Sequence, residues 1–373
     1  MKSRLLLSVA ATSVCLLMFL TAFSRTDPDQ GAEPIPHERN VLSEQQPTDL
    51  LYIDTHNHIV GRRDRRSGRL DVEGPARSAL ESMNASGVQR TLIMPMPQVE
   101  DQQHKLYLDD LLPLVEQYPD RFAVLGGGGS LNVLIQRAIS AGQVTDDIME
   151  EFEATAAELI KKGAVGFGEM TAEHLSMRPD HPYIAAPPDH PLFLRLADLA
   201  ATYGVPIDLH MEAIPEDMPR PSRLRSPNPS VLKANIPGLE RLLAHNREAN
   251  IVWVHLGWDN TGLRTVDLTR RLLEKHPNLY LSLRVASGMQ ARNVVQSTFP
   301  VDSQGHLKPE WLELLTAFPD RFVIGSDEII QQGNRHPSAG SIQATVGILP
   351  QLPEALQRKM GYENAYRLYN LTP

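Results

Sequence analysis

Cysteine is all but missing from this 373-residue chain: Cys15 is the only one. One thiol closes no intramolecular disulfide. Once an amino-terminal signal is removed, none is left for nucleophilic catalysis or for a zinc site built on paired cysteines. An excess of positive charge is missing too. The 36 Lys and Arg stand against 45 Asp and Glu, for a formal net charge of -9, so nucleic acid is not an expected partner. The one basic cluster, "GRRDRRSGR" at 61–69, reads as a solvated loop, with contact to an anionic substrate as the alternative role for Arg62, Arg63, Arg65 and Arg66. Two catalytic signatures are absent as well. "GGGGS" at 126–130 lacks the Gly-Lys-Ser/Thr ending of a phosphate loop, and no Gly-x-Ser-x-Gly elbow occurs. The glycine run reads instead as backbone packed closely against its surroundings.

A long apolar run occurs at the amino terminus, from Leu5 to Phe23, after a basic start and before the small-x-small pattern Ala22-Phe23-Ser24. It predicts a signal peptide over residues 1–24 and a secreted or periplasmic protein. The run is long for a cleaved signal, so an uncleaved anchor stays open as the second reading. No other membrane span is expected. Residues 25–48, rich in Pro, Asp, Glu and Gln, read as a flexible linker.

From residue 49 to 373 short apolar runs alternate with longer amphipathic ones. The runs are 50–54, 88–96, 121–127, 164–169, 205–210, 250–256, 278–283 and 321–327. Between them, apolar residues at three- and four-residue spacing predict helices over 77–87, 106–119, 150–163, 191–204, 238–248, 265–277 and 309–319, with a terminal helix or two over 349–369. Repeated β-α units predict an α/β fold with a parallel sheet, and eight of them fit a closed (β/α)8 TIM barrel. The words "YPDRF" (118–122) and "FPDRF" (318–322) lead into strands three and eight alike. The long connections 170–190, 211–237 and 284–308 follow strands, and in a barrel they meet at the face where active sites are built.

Six residues of metal-ligand type stand at or just past the carboxyl ends of those runs: His56, His58, Glu169, His210, His255 and Asp327. Strand ends converge on a barrel axis, so residues distant in sequence meet there. In His-x-His, period-two alternation aims both imidazoles to one side. Neutral imidazoles and carboxylates suit a divalent metal, zinc first, with manganese, iron or cobalt also compatible, and a catalytic site keeps a position open for water. A lone histidine at a strand end is ordinarily solvated or hydrogen-bonded, the reading given to the remaining histidines, His174 among them. Asp54 is a candidate for orienting an imidazole.

The segments "IDTHNH" (53–58), "VGFGEM" (165–170), "IDLHME" (207–212), "WVHLGW" (253–258) and "VIGSDE" (323–328) resemble the signature segments of the metal-dependent amidohydrolase superfamily, in particular its amidohydrolase-2 (amidohydrolase-related) branch, over residues 50–370. The resemblance implies that His56, His58 and Asp327 hold the more buried metal. His210 and His255 would hold a second one, or His210 would join the first while His255 acts on the water. Glu169 would bridge two ions, whereas in single-metal members its position is not a ligand. The implied function is hydrolysis of an amide, lactone or ester carbonyl in a small molecule, with Asp327 and His255 as catalytic groups and Asp327 taking the proton of a metal-activated water. A metal-dependent decarboxylase of the same branch is the alternative. A phosphoester hydrolase and a non-catalytic binding barrel stand behind it. Arg284 and Trp258 are candidate substrate contacts, with Arg178, Arg220, Arg223, Arg225 and Tyr183 as further ones. A homo-oligomer is left open.

Overall fold

The computed structural model describes residues 52–63, 70–100, 106–177, 182–225, 227–286, 295–333 and 336–372. The expected signal and linker, Cys15, Arg65, Arg66 and Arg178 lie outside them, as do the side chains of Arg62 and Arg63. Within residues 47–373, one compact unit, every expected strand is present. These are β1 (Tyr52–Ile59), β2 (Val88–Ile93), β3 (Phe122–Val124, resumed at Gly126–Gly127), β4 (Phe167–His174), β5 (Ile207–Met211), β6 (Ile251–Leu256), β7 (Leu279–Leu283) and β8 (Phe322–Ile324). Three site residues shift relative to expectation. The first strand does not stop at Asp54 but runs on through His56 and His58, because Asn57 to Ile59 pair with a short strand, Glu328–Ile330. Glu169 likewise lies inside β4 rather than at its end.

The eight main strands run parallel, in the order β3, β2, β1, β8, β7, β6, β5, β4, and β4 pairs with Gly126–Gly127; the short strand Ile184–Ala185 joins antiparallel, on β4. The stretch 122–127 therefore stands at both ends of the order. The Val165 N–H donates to the Val124 carbonyl at 2.9 Å and the Gly126 N–H to the Gly166 carbonyl at 3.1 Å, which closes the barrel. The glycine run also packs closely against the loop after β2: a Cβ on Gly128 would stand 2.2 Å from the Pro95 carbonyl oxygen.

The helices are α1 (Glu73–Ala85), α2 (Leu108–Gln117), α3 (Leu131–Ala141), α4 (Asp146–Lys161), α5 (Pro191–Tyr203), α6 (Ile236–His245), α7 (Val266–Lys275), α8 (Pro309–Ala317) and α9 (Ser341–Val346). The chain ends through α10 (Glu354–Arg358), a π turn (Lys359–Glu363) and α11 (Asn364–Leu368). Expected helices all occur, and α3 and α9 are additions. Thr145 and Thr265 accept from the backbone N–H of Ile148 and Leu268, capping α4 and α7. The repeated "PDRF" has a physical counterpart. The Nε of Arg121 and of Arg321 donates to a neighbouring strand's carbonyl, Gln89 at 2.6 Å and Leu279 at 2.7 Å, so one arginine pins each helix-to-strand turn.

Strands β1 and β6 are buried along their whole length, as parallel strands covered on both faces are. One apolar layer lies between sheet and helices, with Trp253, Ile207 and Phe322 in it. A smaller one, with Ile53, Leu92, Val252, Val254 and Val323, also takes in Leu368 and Tyr369 from the chain end. Among the described residues no helix is long and apolar enough to cross a membrane.

Candidate metal centre

The strand ends bring all six ligand-type residues together, with Glu169 in the middle. Its Oε2 lies 3.7 Å from His56 Nε2 and 3.2 Å from His58 Nε2. Its Oε1 lies 2.5 Å from His210 Nδ1 and 3.0 Å from His255 Nε2. Asp327 completes the ring, Oδ1 at 3.4 Å from His58 Nε2 and Oδ2 at 3.8 Å from His255 Nδ1. Both imidazoles of His-x-His face the same centre, their ring centroids 5.1 Å apart.

Two of these side chains arrive by breaking the regular backbone. Val252 and Val254 belong to one apolar layer and Ile251 and Trp253 to the other, so alternation would send His255 away from Glu169. A φ of 62° at His255, with a register shift between Trp253 and Leu256, turns its imidazole onto the centre. Asp327, past the end of β8, has φ 51°. Left-handed non-glycine residues cost energy and gather at functional sites.

The tautomers are set from behind. His58 Nδ1 lies 3.0 Å from the Met94 carbonyl, which only accepts, so Nδ1 keeps its proton and Nε2 is the nitrogen that would ligate an ion at the centre. His56 Nδ1 donates to Asp208 Oδ2 at 3.3 Å with the same consequence. Asp54 does not take the expected orienting role. Its Oδ1 accepts from the backbone N–H groups of Ser326 at 2.9 Å and His56 at 3.3 Å, and its Oδ2 from the Ser326 hydroxyl at 2.5 Å, so it joins β1 to the end of β8. Asn132 holds Glu169 from the flank, donating to its carbonyl at 2.7 Å.

Charge in this cluster favours a cation. Burial works against the charged forms, yet Asp208 and Glu169 hold the His56 imidazole up at about 10, and Asp327 and Glu169 hold His58 up at about 9. Burial also works to raise Glu169, but His210 first and then His255 and His56 keep it well below the carboxylate range. Arg284, at 2.5 Å from Oδ2, outweighs burial at Asp327 in the same direction. His255 goes the other way, pushed down to about 3, mainly by burial.

A divalent ion fits the donors present. Three sets, His56–His255–Asp327, His56–His58–Glu169 and Glu169–His210–His255, each bring three ligand atoms within 4.8 Å of one another. His56 Nε2 and His255 Nδ1 are buried with no hydrogen-bond partner, and a buried ring nitrogen left so is costly unless something binds it. Nitrogen and carboxylate donors in this mixture suit zinc, manganese or iron. The His210 and Asp327 side chains keep 14% and 15% exposure while His56 keeps none, so a solute would meet the centre from their side.

Arg284 and Trp258 adjoin the centre and each other, the guanidinium lying 4.4 Å over the indole ring. Arg220 and Arg223 are spent on loop carbonyls, those of Asn228 and Asn260, and Tyr183 donates to Glu173 at 3.0 Å. His174 stands nearer the centre than its ordinary reading suggests, its ring 4.8 Å from that of His210. Asp208 is the residue that sequence reasoning passed over. The signal was an acid in an apolar strand, two residues before His210 and so on the same face.

A closed eight-stranded α/β barrel with histidines and carboxylates gathered at its strand ends defines a class of protein, and comparison with known proteins gives the family. A family profile described as amidohydrolase, of the amidohydrolase-2 group, matches residues 53–371. The chain belongs to this family, which is one of enzymes. No curated protein matches it. Among solved structures, a probable 2-pyrone-4,6-dicarboxylic acid hydrolase from Acinetobacter baumannii, with citric acid bound, shares 15% identity at a TM-score of 0.50, over 86% of this chain and 99% of that one. A 5-carboxyvanillate decarboxylase from Sphingomonas paucimobilis shares 15% identity at a TM-score of 0.44, over 87% and 100%. A zinc-bound amidohydrolase from Burkholderia multivorans shares 16% at 0.42, over 86% and 100%.

Proposed function

We propose that this chain is a metal-dependent hydrolase that cleaves a carbonyl-derived bond (amide, lactone or ester) in a small molecule, in which Glu169 would help to hold each of two divalent ions. The observation that carries the reading is the division of labour on Glu169. One carboxylate oxygen faces His56 and His58 and the other faces His210 and His255, at 3.7, 3.2, 2.5 and 3.0 Å. In this reading His56, His58 and Asp327 hold the deeper ion and His210 and His255 the outer one. Zinc is the first choice of metal.

Bound there, the ions would supply Lewis acidity at the substrate oxygen and lower the pKa of water to about 7. The protein's own part is proton handling and orientation. Asp327 Oδ1, directed to the centre, accepts the proton of the attacking water and returns it to the leaving group. Arg284 holds the other oxygen of Asp327 and, backed by Trp258, is placed to meet a polar group of the substrate. His255 stays neutral at any working pH, since burial pushes it down to about 3.

Metal analysis of wild type and Glu169→Ala tests the reading, together with assays on lactones, amides and phosphoesters and of carbon dioxide release from aromatic acids. Two metal equivalents falling to one, with hydrolysis lost, is the expected result. One equivalent unchanged by the substitution removes that role of Glu169. Carbon dioxide release without hydrolysis replaces the hydrolase with a decarboxylase.

A further inference from the structure

The last residues of the chain lie far from the strand ends that carry the metal centre. Asn364 donates to the carbonyls of Pro319 and Phe322 at 2.9 and 2.8 Å, Asn370 to that of Gly204 at 2.7 Å, and Arg90 to that of Thr372 at 2.9 Å. All of these partners sit at or before the amino ends of strands β8 and β5 or near the chain terminus, so the segment covers the opposite end of the barrel. One side chain leaves that cover. The Tyr369 hydroxyl donates to Asp208 Oδ1 at 2.7 Å, and Asp208 Oδ2 in turn accepts from His56 Nδ1 at 3.3 Å. Tyr369, Asp208 and His56 have no exposed surface.

We infer that Tyr369 is a positioning residue of the metal centre: through Asp208 it fixes the orientation and tautomer of His56. A buried carboxylate needs donors on both oxygens, and here one comes from the chain end and the other from the imidazole. The terminal carboxylate torsion is broad, so a partner on Oδ1 is what keeps Oδ2 turned to His56. With Nδ1 donating, His56 Nε2 is the nitrogen that faces the centre, where that atom has no hydrogen-bond partner. The carboxyl terminus is thus part of the centre through one hydroxyl, although its backbone lies at the other end of the barrel. The inference rests on the metal-dependent reading and goes beyond its ligand set.

The test is Zn²⁺ affinity of the full-length chain, measured by competition with a chromophoric chelator. Tyr369→Phe keeps the ring in its apolar seat and is expected to bind about ten-fold more weakly; Asp208→Asn is expected to lose roughly 10- to 100-fold. The double variant should bind no more weakly than Asp208→Asn alone, because both changes act through one imidazole. Tyr366→Phe, a neighbouring partly buried tyrosine, should bind as wild type does. The visible spectrum of the Co²⁺-loaded protein separates positioning from structure: a turned His56 alters it in Tyr369→Phe, whereas simple loss of packing lowers stability and leaves it alone. Unchanged Zn²⁺ affinity in Tyr369→Phe, an unchanged Co²⁺ spectrum, or additive losses in the double variant overturns the inference and leaves the metal-dependent reading standing. A wild-type protein that takes up no Zn²⁺ overturns both.

Discussion

Glu173, four residues beyond Glu169 on β4, is a buried acid outside the proposed ligand set. Burial pushes its carboxyl up to about 7, against the Tyr183 hydrogen bond and with help from Glu212. A carboxyl raised in the folded state holds its proton more tightly there than in the unfolded chain. Its stabilising contribution is complete below the unfolded value of 4.5 and is lost as pH rises through about 7. Glu173→Gln keeps an acceptor for Tyr183 and never ionises. The variant should therefore match wild type in urea unfolding near pH 4.5 and exceed it above pH 7 by up to roughly 3 kcal/mol. A difference that stays flat with pH would sink this account. At this scale the sequence was partly legible. The six ligand-type residues stood out because each combined the right chemistry with a strand-end position. Asp54 and Asp208 could not be told apart, since both precede a site histidine by two residues. Which of them touches an imidazole depends on the neighbour across the barrel, and that is a property of packing.

At the scale of elements, the tips of β5 and β6 carry His210 and His255, and two side chains tie these strands together: the Trp253 indole N–H donates to the Met211 carbonyl at 2.7 Å, and Arg264 bridges both strands. The buried Arg264 guanidinium donates to the carbonyls of Val254 at 2.7 Å and Met211 at 2.6 Å and lies 4.0 Å over the Trp253 ring. Its backbone N–H is fixed by Asp259 at 3.0 Å. Arg264→Leu removes donors from buried carbonyls and should cost about 2–4 kcal/mol in denaturant unfolding. Arg264→Lys should recover less than half of that, because an ammonium cannot span two carbonyls as a planar fork does. Wild-type stability in either variant would mean that Arg264 adds nothing to the Trp253–Met211 tie. Strands were easy to read here because parallel strands covered on both faces are nearly continuous apolar runs. The extension of β1 was not legible, because it depends on pairing with Glu328–Ile330, far along the chain. Nor was the left-handed turn at His255, where the centre draws the imidazole against the alternation of its strand.

For the whole molecule, closure of the barrel followed from counting eight units, whereas the packing of the chain end beneath it left no periodic trace. In the proposed reading, the assembled centre would make stability depend on metal and on pH together. A ligand that binds the folded state alone stabilises it by about 2.7 kcal/mol at a hundred times its dissociation constant, worth roughly 5 °C in Tm for a barrel of this size. Protons compete for the same nitrogens. Despite the opposing effect of burial, Asp208 and Glu169 hold His56 up at about 10, while Asp327 and Glu169 hold His58 up at about 9, so the metal-free fold binds protons that the unfolded chain releases nearer 6.5. Their stabilising contribution is full below pH 6.5 and is lost as pH rises through 9 to 10. Metal uptake would displace those protons and become more favourable over the same range. The rise in Tm on adding Zn²⁺ to chelator-treated protein should therefore be larger at pH 8.5 than at pH 6. Calorimetry at the two values checks this, and an equal or smaller rise at pH 8.5 would show that the imidazoles of His56 and His58 are not where the metal binds.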